Sequence, residues 1–382
     1  MYNIKIFIKL LVNTFSFNKS SLRFFSWKRI FAVLLFYPFF AITFVINWIF
    51  LLLDELIFPS YRRIKIEKAV FIIGVPRSAT TYLFNVLSQD SGNFHCFKLW
   101  ELVFAPAISQ KYVFKLIISI DKLIGKPLYK LSIIFDRIVF GKFREIHDIG
   151  LTKPEEDEVL FLYNFSSIYF YYFYPELDVL DHFLYHDSIV PEPVKKRNIN
   201  FYFRCIQRHN YVFDRQGKKY FLSKNPTFIP KMESIAKRFD QAKFIYPIRS
   251  PFQTIPSTIS LNARIYANFA NLPVEYPFAD KTRHMLIKWY QQADKVIREL
   301  SNDRTIQVFY QELMLKPETV FADIFQFLQI EVDSKEEIFS LINFNKKNYS
   351  SKHQYKKDIG IDKNEINSEL SEILTKEIVK KI

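Results

Sequence analysis

The chain has 382 residues, of which 49% are hydrophobic and 24% are charged, so it can bury a sizeable core and is not a disordered chain. With only two cysteines and scattered histidines, neither a disulfide framework nor a metal site is expected. The formal net charge of +14 indicates polyanionic partners, namely phosphate-rich ligands, nucleic acid or an anionic membrane surface.

The first predicted element is an N-terminal membrane-embedded helical segment. Every charged residue before Asp54 is basic, and no charged side chain occurs from Ile30 to Leu53. About 20 consecutive apolar residues span the hydrocarbon core of a bilayer, so this run is long enough to be embedded in a membrane. We expect a basic, amphipathic and membrane-embedded anchor over residues 1–58, a basic linker over 59–68 and an enzyme domain over 69–382.

The topology of this anchor is open at the level of the sequence. Basic residues flank the apolar run on both sides, and the positive-inside rule therefore draws both flanks to the cytoplasm. Pro38 lies within the run, so a kinked or re-entrant hairpin in one leaflet satisfies both flanks. A straight span instead favours a cytoplasmic N terminus with the rest of the chain outside.

After about Ile64 the pattern changes to that of an α/β enzyme. Residues Ala69 to Ile73 are an apolar run typical of a strand, Gly74 begins a tight loop, and Thr80 to Ser88 are predicted to be a helix. Such a loop presents backbone N–H groups and the positive end of a helix to an anion. The predicted phosphate-binding residues are Arg77, Ser78, Ala79, Thr80 and Thr81.

This loop differs from the phosphate loop of nucleoside triphosphatases. Ala79 stands where the second glycine of that pattern belongs, and Thr80 stands where its lysine belongs. Because that lysine reaches the β- and γ-phosphates, the loop is better suited to a 5′-phosphate than to a triphosphate. The alternative is a strand-to-helix turn whose serine and threonines only cap the helix.

A second predicted phosphate-binding segment follows the next clear strand. We call this segment and the loop after the first strand the two phosphate grips. Residues Lys243 to Ile248 form an apolar run, and Arg249 and Ser257 follow it at the strand end and two turns into the next helix. Two grips on two parallel strands fit a nucleotide that is phosphorylated at both ends of its ribose.

These motifs together resemble the sulfotransferases that use 3′-phosphoadenosine 5′-phosphosulfate (PAPS). The segment 71–81, FIIGVPRSATT, resembles their 5′-phosphosulfate loop, and 249–257, RSPFQTIPS, resembles their 3′-phosphate motif. The segment 223–226, SKNP, is similar to a K-x-P element of the tyrosyl-protein and carbohydrate branches. The segment 308–313, VFYQEL, is similar to the strand end that borders the nucleotide, which implies a nucleotide contact for Tyr310. The resemblance covers roughly residues 69–360.

The resemblance implies a P-loop-type three-layer α/β fold with a central parallel sheet, and PAPS as co-substrate without a metal. It also implies that Arg77 and Lys224 neutralise the leaving phosphate and that Glu101 is the base that takes the acceptor's proton. Because Glu101 lies in an apolar stretch, we expect its pKa to be raised. His147 is the reserve base. The acidic run 155–158 is expected to be a solvated helix start, and the aromatic run 169–174 is expected to be core or membrane-proximal packing.

The family usually has a glycine where this chain has Ala79. If that position needs a positive φ, alanine costs on the order of 1 kcal/mol there and weakens nucleotide binding.

The predicted activity is transfer of the sulfuryl group to a hydroxyl or amine of a glycan, lipid or protein. A catalytically inactive, membrane-anchored nucleotide-binding scaffold is the first alternative, and a P-loop kinase is the second. A nucleic-acid partner is not expected, because the basic residues are dispersed and form no recognition motif. Since the donor is made in the cytosol, a cytosolic enzyme domain at the membrane is expected, with a lumenal or external placement left open.

Overall fold

The computed structural model describes residues 2–15, 26–141, 149–268, 276–331, 340, 342 and 361–379. The strands are β1 (Ala69–Ile72), β2 (Phe94–His95), β3 (Tyr220–Lys224), β4 (Lys243–Ile248) and β5 (Thr305–Phe309). The N-terminal helices are α1 (Tyr2–Thr14), α2 (Trp27–Ile57), α3 (Thr80–Leu87), α4 (Leu99–Phe104), α5 (Ile108–Leu123) and α6 (Pro127–Phe140). The central helices are α7 (Tyr169–Phe173), α8 (Asp181–Leu184), α9 (His186–Ile189), α10 (Glu192–Phe213) and α11 (Met232–Arg238). The last helices are α12 (Pro251–Ala267), α13 (Ala279–Glu299), α14 (Tyr310–Leu315), α15 (Pro317–Leu328), α16 (Lys363–Glu369) and α17 (Ser371–Val379). Short 3-10 helices cover Pro59–Arg63, Asp157–Asn164, Asp178–Leu180 and Pro226–Lys231.

The strands form one parallel sheet in the order β2-β3-β1-β4-β5. Side chains of β1 alternate between its two faces, so Phe71 packs in one apolar cluster and Val70 and Ile72 pack in the other. Helices α10 and α13 cover the first face, and α3 and α15 cover the second. The predicted three-layer α/β fold with a central parallel sheet is therefore confirmed.

The order of the strands also places a crevice. From β1 the chain continues to β2, toward one edge of the sheet, whereas from β4 it continues to β5, toward the opposite edge. In open parallel sheets, ligands bind at the carboxyl ends of the two strands where the direction of winding reverses. Here those strands are β1 and β4, which are direct neighbours, and both predicted phosphate grips follow them.

Helix α2 contains the apolar N-terminal run as one continuous helix from Trp27 to Ile57, with Pro38 inside it. The structure therefore has no hairpin at Pro38. By length and composition α2 could cross a membrane, but one stripe of it is buried against the rest of the chain. That stripe consists of Arg29, Val33, Phe40, Thr43, Asn47, Leu51 and Asp54.

The buried stripe of α2 contacts the rest of the chain from the first turn of the helix to its last. Arg29 forms an ion pair with Glu176 at 2.5 Å near the start of the helix. In the middle, the Asn47 side chain donates to the Val103 carbonyl at 2.9 Å. Asp54 near the end binds the N terminus of α5. Helix α2 thus lies along the domain over its full length instead of projecting from it.

Among these residues, Asp54 has the most polar partners. Its carboxylate is fully buried and accepts hydrogen bonds from the backbone N–H groups of Ile108 at 2.6 Å and Ser109 at 3.1 Å. The Ser109 hydroxyl donates to it at 2.8 Å, and the Arg208 guanidinium on α10 lies 3.3 Å away. One carboxylate therefore caps α5 and neutralises a cation of α10, which joins three helices.

The other faces of α2 and the neighbouring helices α5 and α6 expose many large apolar side chains. On α2 these include Phe31, Leu35, Ile42, Ile49, Leu52 and Leu56. On α5 and α6 they include Leu116, Ile120, Leu123, Leu131, Ile134 and Ile138. A large number of exposed apolar side chains on neighbouring helices is typical of a membrane or protein interaction site, and the contribution of α5 and α6 was not predicted.

We expect Asp54→Ala to destabilise the protein by about 3 kcal/mol, because it removes the acceptor of two helix N–H groups and one of the two carboxylates that face the buried Arg208 guanidinium. Detergent-solubilised protein would be unfolded by heat or urea and followed by tryptophan fluorescence. Glu67→Ala is the control, since its carboxylate is 67% exposed and its ion pair with Lys65 is on the surface. Equal stability of the two variants would contradict the role of Asp54.

Candidate active site

The loop after β1 is held in a shape that few residue types allow. A Cβ on Gly74 would lie 2.7 Å from Pro247 Cγ and 2.9 Å from the Pro247 carbonyl oxygen, so only glycine fits against β4. Arg77 and Ala79 both have left-handed backbone conformations, with φ of 71° and 73°. The positive φ predicted as a risk at Ala79 is therefore present, and it costs an alanine roughly 1–2 kcal/mol.

The loop leads directly into α3, whose first residues are the predicted Thr80 and Thr81. The first N–H groups of a helix have no intrahelical acceptor and carry partial positive charge. Ser78, in contrast, is fully buried and donates its hydroxyl hydrogen to the Val75 carbonyl at 2.7 Å. Ser78 therefore holds the loop closed, whereas the start of α3 presents N–H groups of the kind that can bind an anion.

The two predicted phosphate grips are in direct contact across the β1/β4 crevice. Arg249 Nη1 donates to the Arg77 carbonyl oxygen at 2.8 Å, and Arg77 Nε donates to Ser257 Oγ at 3.1 Å. The Arg249 guanidinium also lies 4.0 Å from the centre of the Tyr310 ring. The structure thus brings together four of the predicted nucleotide-binding residues, from the segments that follow β1, β4 and β5.

Lys224 stands at the carboxyl end of β3, next to β1 in the sheet. Its side chain is 2% exposed, and its Nζ forms an ion pair with Glu156 Oε1 at 2.5 Å. Glu156 is 17% exposed, and its second oxygen accepts a hydrogen bond from the Tyr169 hydroxyl at 3.1 Å. A buried ammonium and a partly accessible carboxylate are therefore paired at the edge where the phosphate grips lie.

The expectation that residues 155–158 are a solvated helix start is wrong. Glu158 is fully buried and forms an ion pair with Lys231 at 2.9 Å. Asp157 is also buried and accepts a hydrogen bond from the Tyr202 hydroxyl, and burial raises its pKa to about 7. The run can be packed inside the protein because lysines from distant segments neutralise Glu156 and Glu158 and a hydroxyl group donates to Asp157. Glu156 keeps some solvent access.

Glu101 lies in a different environment from the one expected. It is 2% exposed, and its two oxygens meet the Lys98 backbone N–H at 2.9 Å and His209 Nδ1 at 3.1 Å. Burial alone raises the pKa of a carboxyl, but the facing His209 imidazole and the nearby Lys111 ammonium outweigh it, so the pKa of Glu101 is lowered. The predicted raised pKa is wrong, because the sequence around Glu101 does not show these two partners.

The remaining predicted base, His147, lies outside the described residues. Within the part of the chain that the structure describes, no group of three or more histidine, cysteine or acidic residues is arranged to hold a metal ion. The residues that sequence reasoning missed are Glu156 and His209. The contact of Glu156 with Lys224 bridges 68 positions, and that of His209 with Glu101 bridges 108.

Comparison with known proteins points to one protein family. The sequence model of the sulfotransferase family matches residues 69–334. Two curated relatives, the omega-hydroxy-beta-dihydromenaquinone-9 sulfotransferases Stf3 of Mycobacterium bovis and Mycobacterium tuberculosis, are 27% identical over 184 residues, which is 47% of this chain. The chain spans about half the length of these relatives, 46% in each case.

Two solved structures share the fold. Sulfotransferase STF9 from Mycobacterium avium superposes with a TM-score of 0.66 at 15% identity and covers 86% of this chain and 81% of its own. Sulfotransferase STF1 from Mycobacterium tuberculosis superposes with a TM-score of 0.62 at 14% identity and covers 86% and 83%.

Gly74→Ala is expected to distort the phosphate loop, because its new Cβ would overlap the backbone of β4. Binding of adenosine 3′,5′-bisphosphate, measured by calorimetry, should fall at least tenfold. Gly92→Ala is the control, since its Cβ would meet only the Asp90 carboxylate at 3.3 Å. Unchanged binding by a folded Gly74→Ala protein would mean that the loop is not part of the nucleotide site.

Proposed function

Since the chain belongs to the sulfotransferase family, we propose that it transfers the sulfuryl group of PAPS to a hydroxyl group of a membrane lipid. The observation that carries this proposal is the contact between the two phosphate grips at the β1/β4 crevice, through Arg77, Arg249 and Ser257. A nucleotide with a phosphate at each end of its ribose matches two linked grips, whereas a triphosphate does not.

The residues proposed to bind the donor form two groups, one for each of its phosphates. The N–H groups at the start of α3, with the hydroxyls of Thr80 and Thr81, would hold the 5′-phosphate. Arg249 and Ser257 would hold the 3′-phosphate, and Tyr310 would support the Arg249 guanidinium and border the nucleotide. Arg77 touches both halves of this set, so it would link the two ends of the donor.

The acceptor is proposed from two independent observations. The curated relatives are named for transfer to an omega-hydroxylated dihydromenaquinone, which is a lipid with a hydroxyl group. This chain also exposes an apolar surface on α2, α5 and α6 that fits a lipid environment. Because the donor is soluble and cytosolic, we place the enzyme domain on the cytosolic face of the membrane.

The chemistry needs a cation at the leaving group and a base at the acceptor. The acceptor oxygen forms a bond to sulfur as the bond from sulfur to the 5′-phosphate oxygen breaks, and adenosine 3′,5′-bisphosphate leaves. Lys224 and Arg77 would neutralise the charge that develops on that phosphate. We assign the acceptor's proton to Glu156, because it is the carboxylate paired with Lys224 and it keeps solvent access, whereas both oxygens of Glu101 are buried and paired.

The donor preference follows from the missing lysine of the triphosphatase pattern. In calorimetric titrations, adenosine 3′,5′-bisphosphate should bind at least tenfold more tightly than ATP, and Arg249→Ala should abolish most of that difference. Adenosine 5′-phosphate serves as the control that lacks only the 3′-phosphate. ATP binding that equals or exceeds bisphosphate binding would overturn the proposed donor.

The same protein, incubated with sulfur-labelled PAPS, should label a membrane lipid extract more than a glycan extract or a tyrosine-containing peptide. Labelling of the glycan or peptide alone would move the acceptor to that class. Tight bisphosphate binding with no labelled product from any of the three would favour the inactive nucleotide-binding scaffold.

Substitution separates the two candidate carboxylates. Glu156→Gln should lower kcat by about 100- to 10,000-fold and leave bisphosphate affinity nearly unchanged, because only the proton acceptor is lost. Glu101→Gln should mainly lower the thermal midpoint, because the substitution leaves the buried partner His209 without a carboxylate. The dependence of kcat on pH is the second readout. Loss of the base should remove the fall in kcat at low pH that protonation of the base causes.

The opposite result would reassign the base. A folded, inactive Glu101→Gln protein beside an active Glu156→Gln protein would return the role to Glu101. If both variants are active and His147→Ala is not, the base is His147.

A further inference from the structure

A groove between the C-terminal half of α2 and the helix α10 lies outside the proposed nucleotide site. Its volume is about 480 Å³, within the range typical of small-molecule sites. Trp48, Leu52 and Phe201 form apolar parts of its lining, and none of the residues that line it belongs to the phosphate grips. We call it the α2/α10 groove.

The polar lining of this groove is strongly cationic. Lys196, Arg197, Arg204 and Arg208 line it, against Glu55 as the acidic lining residue. Glu55 is already engaged by Arg208 at 2.7 Å and by Arg62. Lys196 and Arg197 are exposed, and neither forms an ion pair with another of the described residues. The groove therefore has an unbalanced positive charge on α10 that fits an anion.

The apolar lining of the groove continues into the lipid-facing surface of α2. Leu52 is 60% exposed and belongs to the outward face of that helix. Trp48 stacks on Phe201 with ring centres 5.8 Å apart and donates its indole hydrogen to the Tyr163 carbonyl at 3.0 Å. Tryptophan side chains with an apolar body and a bonded polar end are typical of the membrane interface.

The attachment of α2 fixes where this groove lies relative to a bilayer. Since α2 contacts the enzyme domain from Arg29 to Asp54, it cannot cross the hydrocarbon core without taking the domain with it. At a membrane, a helix held in this way would lie in the plane of one leaflet, with its outward face toward the acyl chains. The cations of α10 then stand at the level of the lipid head groups.

From these observations we propose that the α2/α10 groove binds one anionic glycerophospholipid of the membrane. The lipid phosphate lies between Lys196 and Arg197, where a guanidinium can donate two hydrogen bonds to it. The first methylenes of its chains pack on Leu52, Trp48 and Phe201. A free phosphate ion would use the cations alone and leave the apolar half of the groove unexplained, so the charge and the apolar lining together point to a lipid.

Native mass spectrometry of the full-length, detergent-solubilised protein tests this proposal. With added phosphatidylglycerol, the wild-type protein should retain one bound lipid, and with phosphatidylcholine it should retain little. Lys196→Ala combined with Arg197→Ala should weaken phosphatidylglycerol binding by on the order of twentyfold, since each basic residue near an anionic lipid contributes about fivefold. The double variant should keep its thermal midpoint and its affinity for adenosine 3′,5′-bisphosphate.

Lys288→Ala combined with Lys363→Ala is the matched control, because it removes the same charge from residues that do not line the groove. This variant should retain phosphatidylglycerol as the wild type does. Equal retention of both lipids, or equal loss in the two double variants, would overturn the proposal. Glycerol 3-phosphate is the head-group probe, and its displacement of bound phosphatidylglycerol at equal concentration would show an anion site that does not select a lipid.

Discussion

The hydrogen bond from Arg249 to the Arg77 carbonyl joins the two halves of the site, and it depends on β1 and β4 being neighbours in the sheet. Parallel pairing brings the carboxyl ends of both strands to the same edge, and the reversal of winding between them leaves a crevice. Gly74 permits the close approach, because a side chain there would collide with Pro247 of β4. The strained backbone at Arg77 and Ala79 is held in place by this packing.

Helix α2 combines two surfaces with opposite demands. Its inward stripe carries Arg29, Asn47 and Asp54, which need polar partners and find them in the enzyme domain. Its outward face is made of large apolar side chains that need to be shielded from water. The first surface gives the helix a fixed orientation on the protein, and the second is the surface through which the proposed contact with a membrane would orient the whole protein.

The parts of the fold that could be predicted are those encoded by neighbouring residues. The strand, loop and helix around Gly74 and the second grip at Arg249 each lie within a short segment, and their spacing alone indicates a phosphate site. Glu156 could not be found in this way, because a run of acidic residues is usually solvated. The placement of the whole run depends on Lys231, Tyr202 and Lys224, which contact Glu158, Asp157 and Glu156 across 45 to 73 positions. The unbroken course of α2 through Pro38 is likewise supported by contacts along its whole length.

The bonds around Arg77 have a thermodynamic consequence for the donor. The Arg77 side chain donates to Ser257, and the Arg77 backbone carbonyl accepts from Arg249. The backbone of the 5′ loop and the groups of the 3′ grip are therefore directly coupled. A ligand that orders either end lowers the entropy cost of ordering the other. The two phosphates of a nucleotide would then contribute more together than the sum of their separate contributions, and a double-mutant cycle between the two ends would have a non-zero interaction energy.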